Sequence, residues 1–162
     1  MFVSGEGQFS CRAATEEDIP KITEIERRVQ HDKWKPWSKE NFITEFNKPY
    51  CNLLVMTDDE TDNKIAGFIV FWIMFRECEI LNLAVDFPYR GLGVAKELIR
   101  QAVSIAMKKD ITKILLEVRK SNTPAIQLYQ TLKFVITNIR KGFYSDGEDA
   151  YQMALYIDIA LP

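Results

Sequence analysis

Between a short apolar strand and a long amphipathic helix the chain places Tyr89-Arg90-Gly91-Leu92-Gly93-Val94-Ala95. This junction limits the fold more than any other stretch. Gly91 and Gly93 permit a tight backbone with no side chain in the way. A glycine turn that feeds a helix leaves several N–H groups unpaired and pointing one way, and the helix dipole adds partial positive charge there. The site is suited to a phosphate or pyrophosphate. Upstream, Ile80-Leu81-Asn82-Leu83-Ala84-Val85 reads as a buried strand; downstream, a helix from about Gly93 to Lys109 leads to a second apolar strand, Lys113–Val118. Because a helix intervenes, those two strands can lie parallel. Ligands of such sheets sit beyond the carboxyl ends of the strands, where this turn lies.

The helix itself is well specified. Val94, Leu98, Ala102 and Ile105 form one stripe, joined by Ala95, Ile99 and Ala106, while Lys96, Arg100, Ser104 and Lys108 repeat on the other face. Gly91-Leu92-Gly93 could also open a dinucleotide fingerprint. Lys96 stands where its third glycine belongs, however, and three strands in a meander precede the motif, which is the wrong opening for a βαβ unit.

The rest of the chain supplies scaffold. Residues 1–8 carry little apolar content and read as a loose tail, and Phe9–Ala13 as a first strand. Thr15 and the acids after it start a helix in which Ile19, Ile22, Ile25, Glu26 and Val29 keep helical spacing. The loop His31–Trp37 follows, with two tryptophans beside a proline that serve either as packing anchors or as walls of a substrate groove. His31, in the same loop, is incidental in the plain reading and catalytic in the other. Ser38 caps a second helix to about Phe46. Asn52–Met56 and Ile65–Met74 form a hairpin with an acidic tip. After Lys113–Val118 come a helix with Thr123 as cap and Pro124 at its first position, a strand Phe134–Ile139, a loop Lys141–Glu148 and a last strand Ala150–Ile157.

A length of 162 residues fits one domain spanning 1–162. No apolar run is long enough to cross a bilayer and the start of the chain lacks a signal-peptide pattern, so no membrane partner is expected. Three scattered cysteines and one histidine give no metal-like spacing, so no metal is expected and a reducing, cytoplasmic setting is. A net charge of −2 speaks against nucleic acid as a partner.

Three stretches in order then carry a resemblance. These are Arg90-x-x-Gly93-x-Ala95 after a strand ending in Leu83-Ala84-Val85-Asp86, then Leu116-Glu117-Val118-Arg119-x-Ser121-Asn122, then Ala125-Ile126-x-Leu128-Tyr129 with Phe134 soon after. Together with Pro36-Trp37-Ser38 and Arg140-Lys141-Gly142-Phe143-Tyr144, the pattern resembles the GNAT N-acetyltransferases, and within them the bacterial ribosomal-protein-alanine N-acetyltransferases. The resemblance covers about residues 9 to 157. It implies an α/β (mixed α+β) fold: a mostly antiparallel twisted sheet of about six or seven strands, one parallel pair splayed at the acetyl-CoA site, and about four flanking helices.

It also implies roles. Acetyl-CoA is the co-substrate, held by Leu83, Ala84 and Val85, by Arg90, Gly91, Leu92, Gly93, Val94 and Ala95, and by Asn122 and Tyr129. Acetyl transfer needs a neutral amine, and a carboxyl raised by burial can take its proton. Glu117, charged in an otherwise apolar strand, is the candidate base; the competing reading is a rim carboxylate paired with Arg119 or a lysine. Tyr129 is the candidate acid for the departing thiolate, or a core aromatic, and backbone donors near Leu83–Val85 could polarise the thioester carbonyl. Asn122 also suits a helix cap. The acceptor implied is a protein N-terminus, the alanine of a small-subunit ribosomal protein, bound by Trp37, Glu117 and Tyr144. Asp146, Glu148 and Asp149 would attract its basic tail or stand as a solvated loop. Phe143 replaces a tyrosine of that branch. A lysine or small-amine acetyltransferase and a catalytically idle acyl-CoA-binding domain remain as alternatives. The molecule is expected as a monomer or a weak homodimer.

Overall fold

The strands lie side by side in one eight-stranded sheet, and its order places a break next to the glycine turn. A computed structural model describes residues 2–3, 7–30 and 34–158. The elements are β1 (Phe2–Val3), β2 (Phe9–Ala13), α1 (Ile19–Val29), α2 (Lys39–Phe46), β3 (Cys51–Asp58), β4 (Lys64–Met74), β5 (Glu77–Val85), α3 (Val94–Lys108), β6 (Lys113–Arg119), α4 (Thr123–Thr131), β7 (Val135–Arg140) and β8 (Ala150–Tyr156). Strand order is β1-β2-β3-β4-β5-β6-β8-β7. Only β5 and β6 run parallel; every other described pair is antiparallel. The expected mixed fold with a mostly antiparallel sheet and four helices is what is found. The one extra strand, β1, lies in the stretch expected as a loose tail, where Phe2 and Val3 pair with Cys11 and Ser10.

Two cores sandwich the sheet. On one face α3 packs Val94, Leu98, Ile99, Ala102 and Ala106 against Met56, Ile69, Phe71, Ile80 and Leu116. On the other, α1 and α2 bury Ile19, Ile22, Ile25 and Phe42 against Val55, Phe68, Val70 and Ala84. The apolar stripes of the helices thus find partners, which is what fixes short helices in place.

The break has a local cause. β5 and β6 pair only at Cys78↔Ile114, Glu79↔Leu115 and Ile80↔Leu116. Immediately beyond, the β4–β5 register jumps from Phe71↔Ile80 to Val70↔Asn82, leaving Leu81 as an extra residue. Such a bulge bends and twists its strand. Past it β5 follows β4, β6 follows β8 as far as Arg119↔Ala150, and the two diverge. Gly67 keeps the divergent end of β5 close to β4, since a Cβ there would lie 2.7 Å from the Ala84 carbonyl oxygen.

Two boundaries differ from the sequence reading. The α4 N-cap is Asn122, whose side chain accepts from the Ala125 N–H, and Thr123 is the first helical residue. The last strand is not an edge: β8 sits between β6 and β7, so β7 is the outer strand. Both sides of β8 already have partners, so no further strand can pair with it.

Candidate functional site

The diverging strands open a cavity of about 310 Å³ lined on one side by Ile80–Leu83 of β5 and on the other by Leu116–Arg119 of β6. Of the residues picked from sequence, it brings together Leu83, Glu117, Asn122, Tyr129, Trp37 and Tyr144. Ala84 and Val94 are buried and Val85 packs against the α3 core, so this part of the candidate donor site presents backbone rather than side chains. Arg90, Gly91, Leu92, Gly93 and Ala95 lie outside the lining of this cavity, in the turn and first helical residues that join β5 to α3.

That turn has the backbone its sequence requires. Gly93 caps α3 at φ +81°, in the left-handed region that other residues enter at a cost. Its carbonyl accepts the Glu97 N–H at 3.0 Å, so the helix begins at once and its first N–H groups have no partners within it. The turn is held by Asp86, which is buried: one oxygen accepts the Phe87 N–H at 2.9 Å and the other meets Arg28 of α1 at 2.6 Å. Arg90 folds back over the Phe87 ring, 4.2 Å from its centre.

Glu117 faces the cavity with its side chain 12 % exposed, and Arg140 of β7 donates to its Oε1 at 3.0 Å. Gln152, its neighbour across the β6–β8 ladder, donates to the same oxygen at 3.4 Å. Its cationic partner is thus Arg140 and not the Arg119 considered from sequence. Glu79 on β5 also abuts Glu117. Burial first, then the charge and hydrogen bonding of Glu117, raise the Glu79 carboxyl above its usual range. Tyr129 comes from α4, is 8 % exposed and packs on Phe134, so it is a core aromatic that also lines the cavity. Burial, then the nearby Tyr144, push it up to about 12, and it keeps its proton across the physiological range. Asn122 is the α4 cap and lines the cavity as well.

The opposite wall is tied together by Arg119, which is buried at the end of β6. Its Nη1 donates to both oxygens of Asp146 at 3.0 and 2.8 Å and to Glu148 at 3.1 Å. Its guanidinium lies 3.9 Å from the centre of the Tyr144 ring and 5.1 Å from that of Trp34. Glu148 also accepts from the Ser121 N–H, and Asp149 accepts from the Gly142 N–H and pairs with Lys141. The three acids are therefore tied within the loop. Phe143 stacks edge-on against Tyr144 and sits 4.5 Å under the Arg140 guanidinium. Trp37 packs on Phe42 and also lines the cavity. His31 lies outside the described residues.

Sequence reasoning missed two groups here. Glu26, 1 % exposed, accepts from the Trp37 N–H at 3.2 Å and from Gln30 at 2.8 Å, both through Oε1. Its signal was visible: a carboxylate inside the apolar stripe of α1. Arg140 gave none, because an arginine on an exposed strand is ordinary. Among the described residues no cluster of three or more potential ligands could hold a metal ion.

Comparison with known proteins agrees with this geometry. The model of the acetyltransferase (GNAT) family matches residues 19–134. A Bacillus subtilis protein is 38% identical over 144 residues, covering 88% of this chain and 91% of its own. The Escherichia coli K12 [ribosomal protein bS18]-alanine N-acetyltransferase is 32% identical over 145 residues, covering 88% of this chain and 93% of its own. The crystal structure of the Escherichia coli ribosomal-protein-S18-alanine N-acetyltransferase superposes with a TM-score of 0.83 at 30% identity, over 94% of this chain and 96% of that one. Matched from α1 to just past α4, and similar over most of its length to relatives above 30% identity, the chain belongs to the GNAT acetyltransferase family.

Proposed function

We propose that this protein transfers the acetyl group of acetyl-CoA directly to the α-amine of a protein N-terminus, the favoured acceptor being an N-terminal alanine of a small-subunit ribosomal protein. The observation that carries this reading is that Glu117 and Tyr129 line one cavity at the β5–β6 divergence. The similarity to enzymes named for alanine acetylation of bS18 supports the choice of acceptor. Unpaired thiols at Cys11, Cys51 and Cys78 fit a cytoplasmic setting.

The residues suit acetyl-CoA as the donor. Beyond Ile80 the β5 edge that faces β6 has no ladder partner there, which leaves backbone groups for the amides of an extended ligand. The α3 N-terminus lies just past the end of that strand and suits the pyrophosphate. Leu83–Val85, Arg90–Ala95 and Asn122 form the donor side in this reading. Glu117 takes the proton of the incoming ammonium, directly or through water, while Arg140 and Gln152 hold its carboxylate in place. The freed amine attacks the acetyl carbonyl and forms the new C–N bond. The tetrahedral intermediate collapses with loss of the C–S bond, the thiolate takes the Tyr129 hydroxyl proton, and the second proton shed by the new amide nitrogen returns to the Tyr129 oxygen by way of water. Trp37 and Tyr144 flank the acceptor.

The test is release of free CoA with acetyl-CoA and a panel of acceptors: Ala-, Ser- and Met-starting peptides, an N-blocked lysine peptide and a polyamine. Turnover confined to peptides with a free N-terminus, lost in Glu117→Gln and Tyr129→Phe, is the expected result. Turnover on lysine or polyamine alone overturns the acceptor, and binding of acetyl-CoA without turnover on any acceptor overturns the enzyme reading.

A further inference from the structure

The acidic tip between β3 and β4 is more than a solvated turn. Asp58, where the tip begins, is 2 % exposed, although the residues that follow it stand in solvent. One of its oxygens accepts the Glu60 N–H at 3.1 Å and the other the Thr61 hydroxyl at 2.8 Å. The Thr61 hydroxyl oxygen lies 3.3 Å from that of Tyr89, and Tyr89 also donates to Asp58. Burial raises the Asp58 carboxyl, but the hydrogen bonds from Thr61, the Glu60 amide, Tyr89 and Gln8 outweigh it and hold the group below its usual range.

Tyr89 belongs to the other end of this connection. It directly precedes Arg90-Gly91-Leu92-Gly93. Its N–H donates to the Asp86 carbonyl at 3.0 Å, and its ring meets Phe9 edge-on at 6.0 Å between centres. The turn is thus moored twice: at its start to α1, through Asp86 and Arg28, and further on to the β3–β4 tip, through the Tyr89 hydroxyl. Between Tyr89 and the first residue of α3 lie Gly91 at φ +76° and Gly93 at φ +81°. Glycine enters this region readily and leaves it as readily, so its own preference does not fix the turn. The shape has to be imposed from outside. For packing on Phe9 a phenylalanine would serve; the hydroxyl is what reaches the tip.

We propose that Asp58, Thr61 and Tyr89 form a positioning clamp for the donor, holding the glycine turn in the shape in which its N–H groups meet the pyrophosphate of acetyl-CoA. The inference rests on the donor reading above and deepens it, because it adds to that site a hairpin tip outside the β5–α3 unit. Each of the three residues acts through the turn. A loop ordered before the ligand arrives binds more tightly than one ordered by the ligand, since less freedom is lost on binding.

The experiment titrates the full chain with two donors, acetyl-CoA and S-acetylpantetheine, and reads Kd by calorimetry, which needs no acceptor. Both donors carry the thioester and the pantetheine arm, and only acetyl-CoA has the pyrophosphate. Tyr89→Phe keeps the ring on Phe9 and removes the hydroxyl. It is expected to weaken acetyl-CoA about fivefold, with S-acetylpantetheine moving within about twofold. Asp58→Asn should act in the same direction, and the double variant should be little worse than the stronger single one, because groups in one network do not add. An unchanged Kd for acetyl-CoA in Tyr89→Phe overturns the proposal, and a lower melting temperature alongside it marks the hydroxyl as a purely structural tie. Equal losses with both donors also overturn it, since the effect then lies away from the pyrophosphate. Additive losses separate Asp58 from Tyr89 and overturn the clamp. If wild type binds acetyl-CoA no more tightly than S-acetylpantetheine, the donor reading itself fails, and that result requires no variant.

Discussion

The two sides of the cavity are built on different principles. The candidate donor side is contiguous: β5, the glycine turn and the start of α3 follow one another within residues 77–95, and they offer backbone and a helix terminus. The candidate acceptor side is assembled from α1, the α1–α2 loop, β6 and the β7–β8 loop, and side-chain ties hold it. Arg119 joins Asp146, Glu148, Tyr144 and Trp34, Arg140 holds Glu117, and Glu26 holds the Trp37 backbone. A backbone site tolerates changes of side chain that spare its conformation, whereas a site of ion pairs fails piece by piece.

The largest effect should come where the sides meet. Glu117→Gln and Tyr129→Phe are each expected to lower kcat about 10²- to 10⁴-fold with the melting temperature little changed, read by CoA release and calorimetry. If either variant keeps full kcat, the proton route assigned here is wrong.

Next is the donor strand. Gly67→Ala places a methyl 2.7 Å from the Ala84 oxygen and in contact with Val85, so β5 must shift. A loss of about 1–3 kcal/mol in stability is expected, with the KM of acetyl-CoA rising and the KM of the peptide following less. An unchanged KM for acetyl-CoA would detach this strand from the donor.

Arg119→Met should produce the mirror image. The peptide KM is expected to rise about fivefold while the KM of acetyl-CoA holds, since the loop loses its anchor and Asp146 and Glu148 lose their partner. Equal changes in both constants would erase the distinction between the sides.

Acid should do the same reversibly. The Glu148 amide and then Arg119 hold Asp146 below its usual range. The Ser121 side chain, against some desolvation, and then the Ser121 amide and Arg119 do so for Glu148. A depressed carboxylate contributes stability that is fully present above its unfolded value, near 4, and lost as pH falls through the folded one. Peptide binding should therefore hold down to about pH 4 and fade below it, followed by tryptophan fluorescence with and without peptide. Arg119→Met should remove that acid step; its persistence would show that other groups cause it. The smallest effect is expected from Phe143→Tyr. The ring is 41 % exposed and already packed on Tyr144, so the peptide KM should move within about twofold.

The same division explains what could be read in advance. The glycine turn, the α3 stripe and the parallel pair are written in local periodicity, and the structure places each where the pattern indicated. Glu117 stood out as a charge in an apolar strand, but its partner did not. Arg140 reaches it only because β8 inserts between β6 and β7, a choice of strand order that no local pattern encodes. The role of Asp146 and Glu148 was hidden for the same reason: an acidic loop looks alike whether water or a buried arginine faces it. Asn122 shows the limit of a boundary rule, since either it or Thr123 could cap α4 and only its carboxamide faces the Ala125 N–H.

The insertion of β8 also sets an order of completion during synthesis. Until residues 150–156 leave the ribosome, β6 has no antiparallel neighbour, Gln152 is not beside Glu117, and β7, which carries Arg140, has nothing to pair with. The glycine turn needs only β5 and α3, whereas Glu117 acquires its neighbours Arg140 and Gln152 only with β8.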